Sequence, residues 1–292
     1  MSGNLIRRIA FAVVAIPAVL VVLYAGGWIL VGLLAILGML GTRELYGLAR
    51  QQQVHALEAL GLFGALLLPV AQGTWVLARV APCAQCPGTS SWIVLLALWL
   101  MGVLVAATRA RAPGQRPLAA VAVTVFAPLY ASGLLSFVLL LRHAADAPLA
   151  SRAGLWIAAL PLVLTWICDT AAMAAGKLIG GAKLAPVVSP NKTWAGAIAG
   201  TVAALVAAVA YGSLVLSRYD VHLGVLHLVT VGGVVAVAGQ VGDVAESLFK
   251  REVGVKDSST LIPGHGGILD RLDSLYFAVP AAAAVYLWFA RV

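Results

Sequence analysis

Nine apolar runs fill most of this chain, each close to the roughly 20 residues that a helix needs to cross about 30 Å of hydrocarbon. They fall at about 9–25, 27–42, 57–78, 91–108, 118–141, 154–176, 194–216, 225–248 and 272–290. No soluble domain fits between them, and a composition of 62% hydrophobic and 10% charged residues lies outside the range of soluble domains. The fold expected is an all-α integral membrane protein, a polytopic bundle of about nine transmembrane helices.

A net charge of +8 would point to nucleic acid in a soluble protein, but here it is first a matter of topology. With the N-terminus cytoplasmic, all of the 19 Lys and Arg residues except Arg79, Arg142, Arg152, Arg218 and Arg291 fall on inside segments. That distribution obeys the positive-inside rule, puts the C-terminus outside and gives no reason to expect a nucleic-acid partner. Arg7 and Arg8 ahead of the first run resemble a signal peptide. No small-x-small cleavage site follows and eight more spans do, so an uncleaved first helix is expected. Cys83 and Cys86 share an outside loop where a disulfide can form; with no second ligand pair, a zinc site there is disfavoured.

The chain divides by composition near residue 152. Of the 11 acidic residues only Glu44, Glu58 and Asp146 precede that point. Residues 1–152, with about five helices, read as an N-terminal scaffold; 153–292, with about four, read as a catalytic region with cytoplasmic loops 177–193 and 249–271. Gly254, Pro263, Gly264, Gly266 and Gly267 make the latter part of the second loop non-helical. No internal repeat is visible, and the charges gather on one face and in one half, which weighs against a transporter.

Asp169 lies in the apolar stretch from Leu162 to Ala175, where a charge is costly unless it faces a polar cavity or a partner such as Lys177. Asp243 and Glu246 sit three residues apart on one helix face, and Asp270 and Asp273 repeat the spacing at the mouth of the last span. Four carboxylates entering a low-dielectric region would repel one another without cations. All-oxygen ligation suits Mg²⁺ or Mn²⁺. The competing reading pairs Glu246 with Lys250 at i,i+4 and Asp270 with Arg271 or a nearby lysine. Lys250, Arg251 and Lys256 flank the carboxylates, and Gly264-His265-Gly266-Gly267 can present successive backbone N–H groups. Carboxylates for a metal, cations for free oxygens and a glycine nest suit a nucleoside triphosphate. Ser189, Lys192 and Thr193, just before Trp194, add hydroxyls and a cation, or merely cap a helix.

The stretch from Ser247 to Asp273, with its lysine-arginine pair, Lys256-Asp257, Pro263-Gly-His-Gly-Gly267 and Asp270-Arg271-x-Asp273, resembles the signature of the phosphatidate cytidylyltransferases, or CDP-diacylglycerol synthases. The similarity extends to Gly242-Asp243-x-x-Glu246-Ser247, to Ser189–Gly196 and to Asp169. It implies a nine-helix enzyme of the bacterial inner membrane, its active site facing the cytoplasm, that converts CTP and phosphatidic acid to CDP-diacylglycerol and pyrophosphate. A homodimer stays open.

By this resemblance Asp243 and Asp270 hold one or two Mg²⁺ ions, with Glu246, Asp273 and Asp169 completing the metal set. Lys250 and Lys256 join Asp243, Asp270 and Asp273 as catalytic residues. Lys250, Arg251, Lys256, Asp257, His265, Gly266, Gly267, Arg271, Ser189, Lys192 and Thr193 form the substrate-binding set. The family commonly has Glu where Ala195 stands here. Two alternatives are a CTP-dependent lipid or polyprenol kinase and an ion transporter using Asp169.

Overall fold

A computed structural model describes residues 3–80, 89–144, 151–262 and 266–289. Among the described residues, nine long helices occupy the nine apolar runs. They are α1 (Gly3–Ala25), α2 (Gly27–Gln51), α3 (Glu58–Val80), α4 (Thr89–Ala110), α5 (Pro117–Arg142), α6 (Arg152–Leu178), α7 (Trp194–Leu214), α8 (Val225–Glu252) and α9 (Leu275–Phe289). Eight of the spans, α9 counted together with the helical turn Leu269–Leu272 before it, are long and apolar enough to cross a membrane. The described apolar part of α1 is Ala15–Ala25. Helices close every backbone hydrogen bond within one segment, which is what a chain in hydrocarbon requires. Cys83 and Cys86 lie outside the described residues.

The sequence marks where helices stop or deform. Gly26 and Gly27 both take positive φ, 60° and 52°, and turn the chain from α1 into α2. Pro128 lacks an N–H, and α5 relaxes around it into a π-helical turn, Leu129–Gly133, and then a 3₁₀ turn, Leu135–Phe137. Arg142, expected in an outside loop, is instead fully buried at the end of α5. It donates to the carbonyls of Leu23 (2.5 Å) and Tyr24 (2.8 Å) that end α1.

Helices α6 to α9 pack in sequence against one another, and α2 packs on α3 and α5. An aromatic group, the buried Tyr130 from α5 and Tyr276 from α9 with centroids 4.8 Å apart and the partly buried Phe249 of α8 set edge-on against Tyr130, joins the two halves of the chain. The outward apolar side chains, such as Ile93, Leu118, Ile198 and Val206, form the surface that meets lipid.

The 177–193 connection is more ordered than a loop. Helix α6 runs to Leu178, and an antiparallel ribbon follows, β1 (Lys183–Ala185) pairing with β2 (Ser189–Thr193). The end of this ribbon delivers the chain to α7, whose first turn is capped by the Thr193 hydroxyl accepting from Gly196 N–H at 3.1 Å.

Candidate active site

One end of the bundle collects the polar residues. Gln52 donates to the Glu252 carbonyl at 2.9 Å, Arg116 to the Gln52 carbonyl at 3.1 Å and Arg251 to the Val188 carbonyl at 3.1 Å. These bonds place the ends of α2 and α8, the start of α5 and the ribbon on the same face.

The last three turns of α8 carry Asp243, Glu246 and Lys250 to the bundle interior. Glu246 is fully buried and Lys250 nearly so. The Lys250 ammonium bridges two carboxylates, Glu246 Oε1 at 3.0 Å and Asp270 Oδ1 at 2.7 Å. The remaining oxygen of Asp270 accepts from the Ser258 and Gly267 N–H groups, each at 2.8 Å, and also stands 2.8 Å from the Ser258 hydroxyl. Both readings of the carboxylates therefore meet here: the i,i+4 pair exists, but inside the protein rather than at a solvated rim. Asp270 has every oxygen engaged, and Gly267 offers its N–H to that carboxylate.

A second centre forms around Asp243. Lys192, carried in by β2, reaches Asp243 Oδ2 at 2.6 Å. Asp169 on α6 and Asp273 at the entry to α9 lie within electrostatic reach of Asp243 and of each other. The approach of α8 to α9 depends on Gly242, where a Cβ would come within 2.8 Å of the Asp273 carbonyl and 3.1 Å of Phe277. Asp169 makes no ion pair with Lys177 among the described residues.

The donor set suits a hard divalent ion. It is all oxygen, the carboxylates of Asp169, Asp243 and Asp273 repel one another, Lys192 is paired to Asp243, and among the described residues the buried Glu246 Oε2 has no hydrogen-bond partner. Among the described residues no three acidic, His or Cys side chains yet converge on one point at ligating distance; lysines hold the places beside Asp243 and Glu246.

Other expected residues sit further out. Lys256, Asp257 and Arg271 are exposed around the mouth, Arg251 donates to Val188 and Val255 carbonyls, and Ser189 lies partly buried on β2. Gly266 has φ of 80°, and a Cβ there would press on Asp270 Oδ2 at 2.5 Å. His265 lies outside the described residues. Ala195 is partly buried in the first turn of α7.

One site residue escaped the sequence. Glu44, near the end of α2, is buried and accepts from the hydroxyls of Ser258 (2.9 Å) and Ser259 (2.7 Å) and the N–H groups of Ile268 (3.0 Å) and Leu269 (2.9 Å). Its only visible signal was its place among the few acids of the first half.

The model of the cytidylyltransferase family matches residues 6–289, nearly the whole chain. The chain belongs to the cytidylyltransferase family. Among relatives of known name, the phosphatidate cytidylyltransferase of Haemophilus influenzae is 44% identical over 140 residues, 46% of this chain and 47% of that protein. The enzyme of the same name from Brucella suis is 46% identical over 125 residues, 43% of each chain. That of Staphylococcus haemolyticus is 44% identical over 118, covering 40% of this chain and 44% of its own length. Each alignment thus spans about half the length of the relative, while the family match takes in both halves of the bundle described above.

Proposed function

We propose that this cytidylyltransferase-family protein transfers CMP from CTP to phosphatidic acid, giving CDP-diacylglycerol and pyrophosphate, at the cytoplasmic face of a bacterial inner membrane. The observation that carries the proposal is the convergence, at one end of a membrane bundle, of the Lys192–Asp243 and Glu246–Lys250–Asp270 ion pairs from the signature segments. Family membership and the printed names of the relatives support the same activity.

The chemistry needs positioning and charge neutralisation more than covalent help. A phosphate oxygen of phosphatidate, already anionic, attacks the α-phosphorus of CTP; its bond to phosphorus forms as the α–β bridging bond breaks, and pyrophosphate leaves with that electron pair. No proton must be removed from the nucleophile, so the site needs no strong base. Exposed Lys256, Arg251 and Arg271 at the mouth neutralise the incoming phosphates. Lys250 is held by Glu246 and Asp270 and contributes fixed positive charge behind them. Mg²⁺, when bound, would supply charge neutralisation at the triphosphate, and Asp243, Asp273 and Asp169 would hold it, with Lys192 yielding its place on Asp243. The first 152 residues are proposed as the scaffold and the rest as the catalytic region.

Incubating purified protein with phosphatidate and CTP labelled at the α- or γ-phosphate tests the reading. Label from the α-position in lipid is expected. Transfer of γ-label alone would make it a kinase, and ion flux without CTP turnover a transporter. Asp243→Asn is expected to cut turnover by about a hundredfold or more while the protein still inserts.

A further inference from the structure

We infer that Glu44, in the half of the chain that carries none of the signature, is a positioning residue that holds in register with Lys250 the signature turn closed by the antiparallel bridge between Ile262 and Gly266; this rests on the function proposed above. The Glu44 carboxylate grips both ends of that turn. Ser258 and Ser259 precede it, Ile268 and Leu269 follow it, and each donates one bond to Glu44. No cation pairs with Glu44 among the described residues. The charge is stabilised by oriented neutral donors, the arrangement that fits an acceptor-only group with four lone-pair sites.

The grip passes to the site through Ser258. Its hydroxyl stands 2.9 Å from Glu44 Oε2 and 2.8 Å from Asp270 Oδ2, and its single proton serves one oxygen at a time. Asp270 in turn holds Lys250 at 2.7 Å. The approach is built in on both sides. A Cβ at Gly267 would strike the Ser258 hydroxyl and the Glu44 carboxylate, and one turn earlier on α2 a Cβ at Gly41 would stand 3.1 Å from the Tyr276 hydroxyl. A shift of this turn by an ångström moves Asp270 and Lys250 together, and such misplacement costs up to about a hundredfold in rate.

The test uses the full chain in nanodiscs, with hydrogen exchange and kinetics on Glu44→Gln and Glu44→Asp. Gln keeps the volume but turns an NH₂ toward N–H donors. It is expected to speed exchange of peptides within 266–274 about tenfold or more while the spans keep their protection, and to lower kcat about tenfold with KM for CTP within about threefold. Asp is expected to recover part of kcat. Unchanged exchange at 266–274, or wild-type kcat in Glu44→Gln, overturns the assignment. If Glu44→Gln fails to fold, Ser258→Ala and Ser259→Ala each remove one of the four donors to Glu44 and must speed the same exchange; no change in both overturns it equally. A wild-type chain inactive on CTP and phosphatidate would fail the function proposed, yet the exchange experiment would still decide the grip on the turn.

Discussion

Lys250 shows how a single side chain sets the state of its neighbours. It is the counterion of two buried carboxylates, so its removal leaves Glu246 and Asp270 facing each other without a cation. Breaking a buried pair from one side costs about 3–5 kcal/mol, mostly as the penalty of the stranded charge. Lys250→Met is therefore expected to lower the melting temperature measured by a thiol- or dye-based unfolding assay in detergent and to abolish turnover. Adding Glu246→Gln should restore much of the stability and little of the activity. An unaltered melting temperature in Lys250→Met would mean that the carboxylates find other partners. Lys250, Asp270, Asp243 and Lys192 were legible in the sequence because charge in an apolar chain needs a reason, and their spacing placed them near helix ends. Glu44 was not, since its bonds to Ser258 and Leu269 cross 214 and 225 positions and nothing local announces them.

At the level of elements, the carboxylates of α6, α8 and the entry to α9 come together because small residues let backbones approach. At Gly242 a Cβ would stand 2.8 Å from the Asp273 carbonyl, whereas Gly102 on α4 has nothing within 4 Å of where its Cβ would be. The two glycines make a matched pair. Gly102→Ala should be neutral or raise stability by about 0.5–1 kcal/mol through helix propensity. Gly242→Ala should lose about 1–3 kcal/mol by overpacking and lower turnover as Asp273 is pushed from Asp243. Equal behaviour of the two in melting and activity would contradict the close α8–α9 contact. The nine helices themselves were readable from run length, because hydrocarbon leaves the backbone few alternatives. The ribbon of β1 and β2 was not: its strands are three and five residues long, carry little alternation, and Pro190 lies within the second.

For the whole molecule, the bundle brings to one end the segments around Arg116, Lys192 and Lys256, while Asp220, in the turn between α7 and α8, belongs to the other end. The proposed sidedness rests on charge: the end that holds the signature segments also holds most of the Lys and Arg residues, and the positive-inside rule predicts that such segments stay cytoplasmic. With Cys83, Cys86 and Cys168 replaced by serine, single cysteines at the exposed positions Arg116, Lys256 and Asp220 can report the topology. A membrane-impermeant maleimide is expected to label Arg116→Cys and Lys256→Cys in inside-out vesicles only, and Asp220→Cys in intact spheroplasts only. Labelling of Arg116→Cys and Lys256→Cys from opposite sides would break the antiparallel order of the helices. Labelling of both from outside would keep the fold and reverse its orientation, which would put the site where cytosolic CTP cannot reach it and so count against the proposed reaction.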